Sequence, residues 1–337
     1  MKELIIKVAD RVINGRDTDW NMNINHFDWV PGVGLHGIFK AYKYTGDEKY
    51  LNFLIDWADR LLPLAYEQKT VNSTAPMLTI LELYIITKNE SYLKTCLDIA
   101  EYIINEAPLT REGGLEHTVT EAVPGFSEQI WADTLFMVCI FLAKLGTVTD
   151  KKYLDFAINQ LKIHIELLPD KCGLCYHGWN CEEKGYMSAV FWGRANAWII
   201  YSTMEILSLA GDFEDKEAIF DYVRRHAEAL KKHQREDGSF GTIIDDITAY
   251  SETSATGGIV SGMKKAIDSG IIDTGYIDVC KKGIEYIKTT IADDGSVLKV
   301  STGTPIMKDA EAYKNIPAIS PTLYGQTLVI CALAEGI

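Results

Sequence analysis

The chain has no apolar run approaching the ~20 residues a helix needs to cross a bilayer, and it has no basic patch. Its 33 Lys and Arg face 47 Asp and Glu, a formal net charge of -14. A surface of that sign repels phosphate backbones and anionic headgroups, which argues against nucleic acid or membrane as partner. An anionic ligand would have to be met by local groups. The N-terminus, from Met1 to Ile13, lacks the uninterrupted apolar stretch and small-residue cleavage site of a signal peptide. It alternates charged and apolar residues at helical spacing and reads as the first helix. Seven cysteines are an odd number, scattered mostly inside apolar stretches such as Val138-Cys139-Ile140 and Ile330-Cys331-Ala332, which points to a reducing cytoplasm rather than a disulfide framework. No linker or low-complexity segment divides the chain.

With 47% hydrophobic and 10% aromatic residues over 337 positions, the chain can bury a substantial core, as one large domain or two ordinary ones. Apolar spacing gives hairpin after hairpin: a helix apolar nearly all round, a polar turn, then an amphipathic helix. The first copy starts at Trp29-Val30-Pro31 and turns at Thr45-Gly46-Asp47-Glu48-Lys49-Tyr50. The second starts at Asn72-Ser73-Thr74-Ala75-Pro76 and turns at Thr87-Lys88-Asn89-Glu90-Ser91-Tyr92, an echo of the first. Further starts fall at Trp131, Trp192, near Ser251, and after Ser320-Pro321. Six helical starts recurring about every 45 to 70 residues predict a closed ring or a solenoid of helical hairpins. Between them lie glycine-rich pieces, such as Gly113-Gly114-Leu115, Gly173-Leu174-Cys175, Gly238-Ser239-Phe240 and Gly295-Ser296-Val297, that read as short hairpin loops on one rim. If the inner helices run parallel, their N-termini gather on that rim and favour a bound carboxylate.

Two helix starts carry candidate chemistry. In Trp131-Ala132-Asp133 a carboxylate stands beside an indole where an apolar helix begins. Asp133 reads either as a group satisfying free backbone N–H at a helix start or as a general acid. The indole raises its pKa by removing water, and the helix dipole lowers it. In Trp192-Gly193-Arg194-Ala195-Asn196-Ala197-Trp198 the small residues let a ligand approach the backbone, Arg194 offers a fork for a carboxylate, and Asn196 can bond hydroxyls. The alternative is an Arg paired with an acidic residue and two packed indoles. Tyr176-His177-Gly178-Trp179 suits a sugar platform or ordinary loop packing. Asp28 and Trp29 either complete a pocket wall or cap and pack. Cys172, Cys175, His177 and Cys181 lack the second ligand pair of a closed zinc site, so no metal is expected.

Taken together and in this order, the six hairpins, the Trp-x-Asp helix start, His177-Gly178-Trp179, the Trp192 to Trp198 run and the Thr-Gly-Asp-x-x-Tyr turn resemble the unsaturated glycuronyl hydrolases. The likeness is to the unsaturated rhamnogalacturonyl hydrolases of glycoside hydrolase family 105 in particular, with family 88 as a relative, and it covers nearly the whole chain. The resemblance implies an all-α, single-domain (α/α)6 barrel over residues 1–337. It implies a hydrolase that removes a 4,5-unsaturated uronic acid from the non-reducing end of lyase-generated oligosaccharides by hydrating the vinyl ether, with Asp133 as acid and then base and no cofactor. It also implies that His177, Trp179, Trp192, Arg194, Asn196 and Trp198 line the unsaturated uronate subsite, with Arg194 on the carboxylate and Trp29 stacked on the ring; Trp131, beside Asp133, reads from the sequence itself as a sugar-stacking ring or as core. Relatives usually carry an aspartate where this chain has Asn72, which can bond a hydroxyl but cannot titrate.

Three rivals differ in class. A conventional inverting glycosidase needs a second carboxylate roughly 6.5 to 9.5 Å from the first, and Glu252 is the partner its position suggests. A sugar epimerase on the same barrel would use His177. A helical-repeat scaffold would bind a peptide along its concave face, whereas here the aromatic and polar residues cluster at helix starts on one rim.

Overall fold

The computed structural model describes residues 1–118 and 126–337. In chain order its principal helices are α1 (Lys2–Ile13), α2 (Trp29–Thr45), α3 (Glu48–Leu61), α4 (Val71–Thr74), α5 (Met77–Thr87), α6 (Glu90–Asn105), α7 (Ile140–Val148), α8 (Lys152–Leu167), α9 (Gly193–Leu209), α10 (Lys216–His233), α11 (Thr253–Asp268), α12 (Ile277–Thr289), α13 (Ala310–Lys314) and α14 (Leu323–Ala334). Among the described residues, α2, α5, α7, α9, α11 and α14 pack side by side as an inner ring, and α3, α6, α8, α10 and α12 lie outside it. Burial separates the two layers. In α9 nearly every side chain from Gly193 to Leu207 is buried, whereas α10 buries Ile219, Tyr222, Val223, His226 and Leu230 at helical spacing and turns its charges outward.

The ring closes between chain ends. Helix α14 packs against both α11 and α2, and α1 covers that seam as the outer member of the sixth pair. The N-terminal helix is therefore the partner of the last inner helix. Closure needs a close approach: a Cβ on Gly37 of α2 would lie 2.8 Å from Thr327 Cα, and Thr327 Oγ1 donates to Val33 O at 2.8 Å.

The turns repeat as the sequence suggests. Thr45 Oγ1 donates to Ala41 O and accepts from Asp47 N, Gly46 is left-handed, and Asp47 caps α3. Thr87, Lys88 and Asn89 reproduce each step before α6, with Lys88 taking the left-handed position at φ 58. The glycine-rich pieces form a second repeat. In each of four loops that follow an outer helix, a glycine at positive φ (Gly113, Gly173, Gly238, Gly295) turns the chain back on itself. A side chain then takes up the N–H two residues on: Gln160 holds Leu115, Asn196 holds Cys175, Thr256 holds Phe240 and Gln326 holds Val297. The last three are the fourth residues of their inner helices, so one inner position serves to clamp the rim loops.

Two expected helix starts differ. Trp131 ends a strand, β1 (Gln129–Trp131), because this segment pairs with β2 (Gly178–Asn180), which pairs in turn with β3 (Gly185–Tyr186). Helical bonding begins at Asp133 O, which accepts from Phe136 N and Met137 N, and runs through a π-helical turn, Leu135–Cys139, into α7. At Asn72 the chain makes only the single turn α4, closed by a Thr70–Ser73 capping box, before Pro76 interrupts and α5 begins at Met77. A third pairing joins β4 (Val300–Ser301) to β5 (Ala318–Ile319). No helix among the described residues is long and apolar enough to cross a membrane.

Because a Cβ on Gly37 would press on Thr327 Oγ1, which is held by Val33 O, and on Thr327 Cα, Gly37→Ala is expected to destabilise the fold by about 1 to 3 kcal/mol of overpacking. Urea unfolding measures it; an unchanged midpoint would mean that the seam between α2 and α14 opens without cost.

Candidate active site

A cavity of about 370 Å³ opens on the rim where the inner helices begin. Of the residues singled out in the sequence, Trp29, Asn72, Trp131, Asp133, Trp192 and Arg194 line it, together with Asp28. They come from the starts of α2, α4 and α9 and from the junction that leads into α7, so convergence of helix N-termini assembles the wall.

The strand pair sets the centre. Trp131 lies opposite Gly178 in the register, and Ala132 N donates to His177 O at 3.0 Å, which lays Asp133 beside the His177 ring. Asp133 Oδ2 is 3.2 Å from His177 Nε2, within ion-pair distance but not aligned as a hydrogen bond, and neither atom has a hydrogen-bond partner among the described residues. Burial pushes the Asp133 carboxyl up, but His177, His117 and Arg194 together outweigh it and hold the group below the usual aspartate range. Asp133 is thus ionised at neutral pH in the unliganded protein. Trp131 stacks on His117, centroids 4.4 Å apart and planes within 4°, while His117 Nδ1 meets Thr134 Oγ1 at 3.0 Å. Burial pulls the His117 imidazole down to about 4, so it is neutral.

Arg194 is buried in the wall with its guanidinium between the rings of Trp192 and Tyr324, 4.5 and 4.7 Å from their centroids. Its terminal nitrogens donate to Ser301 O and Thr302 O, each at 2.9 Å, and to Ser301 Oγ. Glu252 lies 3.7 Å away. These bonds bind the segment after β4 to the rim, and residues 303–305 of that segment form part of the cavity wall. Arg194 therefore brings positive charge to the cavity while most of its fork anchors a loop.

Glu252 is not in the cavity. It caps α11, accepting from Ala255 N, from Ser254 Oγ at 2.7 Å and from Ser301 N at 2.8 Å, and it is fully buried. A carboxylate so enclosed is not the second catalytic group of an inverting glycosidase. The carboxyl that does share the cavity with Asp133 is Asp28, the N-cap of α2, which burial raises above its ordinary range.

Four expected sugar contacts lie elsewhere. Asn196 is fully buried, with its amide bonded to both backbone groups of Cys175, to Trp192 O and to His226, so the loop clamp accounts for it. Trp198 is buried against Phe136 in the barrel interior. Trp179 stands on β2 against Tyr186, and His177 sits behind Asp133 without lining the cavity. The residues weighed and set aside as zinc ligands lie apart: Cys172 is exposed, Cys175 Sγ meets Tyr222 at 3.0 Å and His177 faces Asp133. Among the described residues no three His, Cys, Asp or Glu side chains are grouped to hold a metal.

Sequence reasoning missed Trp20, His117, Phe126, Met137 and residues 303–305 as lining. Trp20 had a signal, an indole in a polar loop, and it is 44% exposed at the cavity edge against Trp29. Residues 303–305 had none, since their place follows from Arg194 and the β4–β5 pairing.

Residues 4–337 match the family described as Glycosyl Hydrolase Family 88. The chain is 34% identical over 340 residues to the unsaturated rhamnogalacturonyl hydrolase YesR of Bacillus subtilis, covering 99% of this chain and 95% of that one. It superposes on a possible member of family GH105 from Salmonella enterica with a TM-score of 0.91 at 31% identity, covering 99% of this chain and 92% of the other. An unsaturated glucuronyl hydrolase from a Bacillus species shares the fold at a TM-score of 0.77 and 17% identity, covering 99% and 96%.

Glu252→Ala is expected to cost about 3 to 5 kcal/mol, because it leaves the Arg194 guanidinium buried without its counter-charge and removes the α11 cap. Chemical denaturation would detect this, and a loss under about 1 kcal/mol would show the pair to be solvated.

Proposed function

The chain belongs to glycosyl hydrolase family 88 and is a glycoside hydrolase, and from that premise we propose that it removes the 4,5-unsaturated uronic acid from the non-reducing end of lyase-generated oligosaccharides, unsaturated rhamnogalacturonan disaccharides foremost. The observation that supports this most is the placing of Asp133 in a rim cavity, beside a stacked indole and against a buried histidine. Protonated Asp133 delivers its proton to C4 of the vinyl ether. The resulting carboxylate then takes a proton from the water that adds at C5, which restores the acid. The hemiketal so formed opens and releases the aglycone. Acid–base transfer and orientation carry the reaction.

An ionised Asp133 must gain a proton before the first step. A uronate brought into the cavity adds a second negative charge, which favours the protonated form. Trp29 and Trp192 offer ring faces to the sugar, and Arg194 supplies the positive charge for its carboxylate from the wall. Asn72 bonds a hydroxyl and does not titrate, so among the described residues Asp28 and Asp133 are the carboxyl groups available in the cavity. The buried free cysteines suit a reducing compartment, and we place the enzyme in the cytoplasm.

Asp133→Asn is expected to lower kcat by about 10² to 10⁴ with KM little changed. The assay follows the ultraviolet absorbance of the enol-ether carboxylate in unsaturated rhamnogalacturonan disaccharides, together with released aglycone. Near-normal turnover would remove Asp133 from the mechanism. The same substitution tests the acid limb of stability. The folded pKa of Asp133 lies below its unfolded value, so its contribution is present above the ordinary aspartate range and is lost as pH falls through the lowered value. Wild type should therefore lose stability faster than Asp133→Asn on acidification, as followed by thermal melts; parallel curves would contradict the depressed pKa.

A further inference from the structure

His177 is fully buried, and its ring nitrogens face different groups. Nε2 points to Asp133 Oδ2 at 3.2 Å, and Nδ1 lies 2.9 Å from Tyr313 Oη. Tyr313 comes from α13, far along the chain, and is itself buried; its hydroxyl also accepts from Met307 N at 3.2 Å. The hydroxyl has one proton and two lone pairs, and one lone pair is taken by Met307.

The proton count then follows from the state of Asp133. An ionised carboxylate offers only lone pairs, so Nε2 must carry hydrogen; in the neutral ring Nδ1 is then an acceptor, and Tyr313 donates to it. A second lone pair at Nε2, buried 3.2 Å from a carboxylate oxygen with no other partner among the described residues, would be repulsive. The proton that Asp133 delivers must sit on its sugar-facing oxygen, so Oδ2 keeps its lone pairs and Nε2 its hydrogen in both states of the carboxyl. The Tyr313 hydroxyl donates to Nδ1 throughout, which a phenyl ring cannot do.

We propose that Tyr313 is a positioning residue for the reaction, whose hydrogen bond to His177 Nδ1 keeps the imidazole proton on Nε2, opposite Asp133. The role rests on the reading of Asp133 as the catalytic acid and base. Since Oδ2 is buried against His177, the other carboxyl oxygen is left to face the sugar. The remaining titratable and charged groups turned toward this pair are His117, with His164 behind it, and Arg194 with its partner Glu252. His117 and His164 are both pulled down to about 4 by burial and stay neutral across the working range. Neither therefore competes for the proton near neutral pH.

The test has two arms. The first is nitrogen-15 NMR of the imidazoles in the wild-type protein without substrate at neutral pH, with His177 identified by its loss in His177→Gln. The expected result is a protonated Nε2 and an unprotonated Nδ1 hydrogen-bonded to a hydroxyl; a protonated Nδ1 with a bare Nε2 would overturn the assignment. The second is Tyr313→Phe, expected to lower kcat by roughly tenfold, with KM within about twofold and a shifted kcat–pH profile. An unshifted profile with wild-type kcat would equally overturn it, and if the variant does not fold, the wild-type NMR result alone decides. Normal turnover by Asp133→Asn would instead refute the reading of Asp133, whereas the tautomer of His177 is measured without reference to turnover.

Discussion

Closure of the inner ring at the seam between α14 and α2 is the constraint on which the site depends. Residues nearly 300 positions apart meet there, Thr327 donating to Val33 O over the space left by Gly37. A row of inner helices left open would present its N-termini along a groove. Joined end to end, the same helices direct their free N–H groups and their first side chains into one cavity, where an acidic protein can hold an acidic sugar. The seam also explains why the first helix is placed outside the last, since α1 packs against both α14 and α2.

The two ends of the barrel use charge differently. At the far end, Glu205 of α9 pairs with Lys40 of α2 at 2.8 Å and Lys265 of α11 at 3.2 Å, and Lys265 also reaches Glu335. Burial raises the Glu205 carboxyl, but the two ammonium groups overcome it and hold it far below its ordinary range. Every charge there has an opposite neighbour, which makes that end a brace. At the near end, Arg194 and Glu252 form a comparable buried pair, but the pair also carries the segment after β4 and so shapes the wall. Asp133 differs from all of these. Its Oδ2 is buried 3.2 Å from His177 Nε2, with no Lys or Arg paired to it among the described residues.

The hairpin repeat was legible in the sequence because it is local. Thr45-Gly46-Asp47 and Thr87-Lys88-Asn89 build the same turn from the same hydrogen bonds, and the glycine-rich loops reverse wherever a residue at positive φ is available. Asp133, Trp131, Trp192, Arg194, Trp29 and Asn72 were legible as cavity candidates for the same reason: unusual side chains at helix starts, with starts that gather on one rim. Asn196 and Trp198 stood in the same run as Trp192 and Arg194, yet the helix turns them elsewhere. Asn196 lies one turn on from Trp192 and is needed by Cys175, a demand that comes from a different loop and leaves no mark at position 196.

Glu252 shows the limit from the other side. Its sequence position suits a cap and a catalytic base equally, and only the arrival of Ser301 and Arg194 around it decides for the cap. Residues 303–305 and Tyr313 belong to a segment whose course is fixed by pairings made across the fold. The sequence by itself determined the helical hairpins, their turns and the residue types gathered at one rim, because those follow from spacing and backbone chemistry within a few residues. The tertiary structure alone decided which side chains line the cavity, which oxygen of Asp133 meets His177, and that Tyr313 stands behind it. Hydrogen-bond partners and charge neighbours are set by distances through space, and separation along the chain does not encode them.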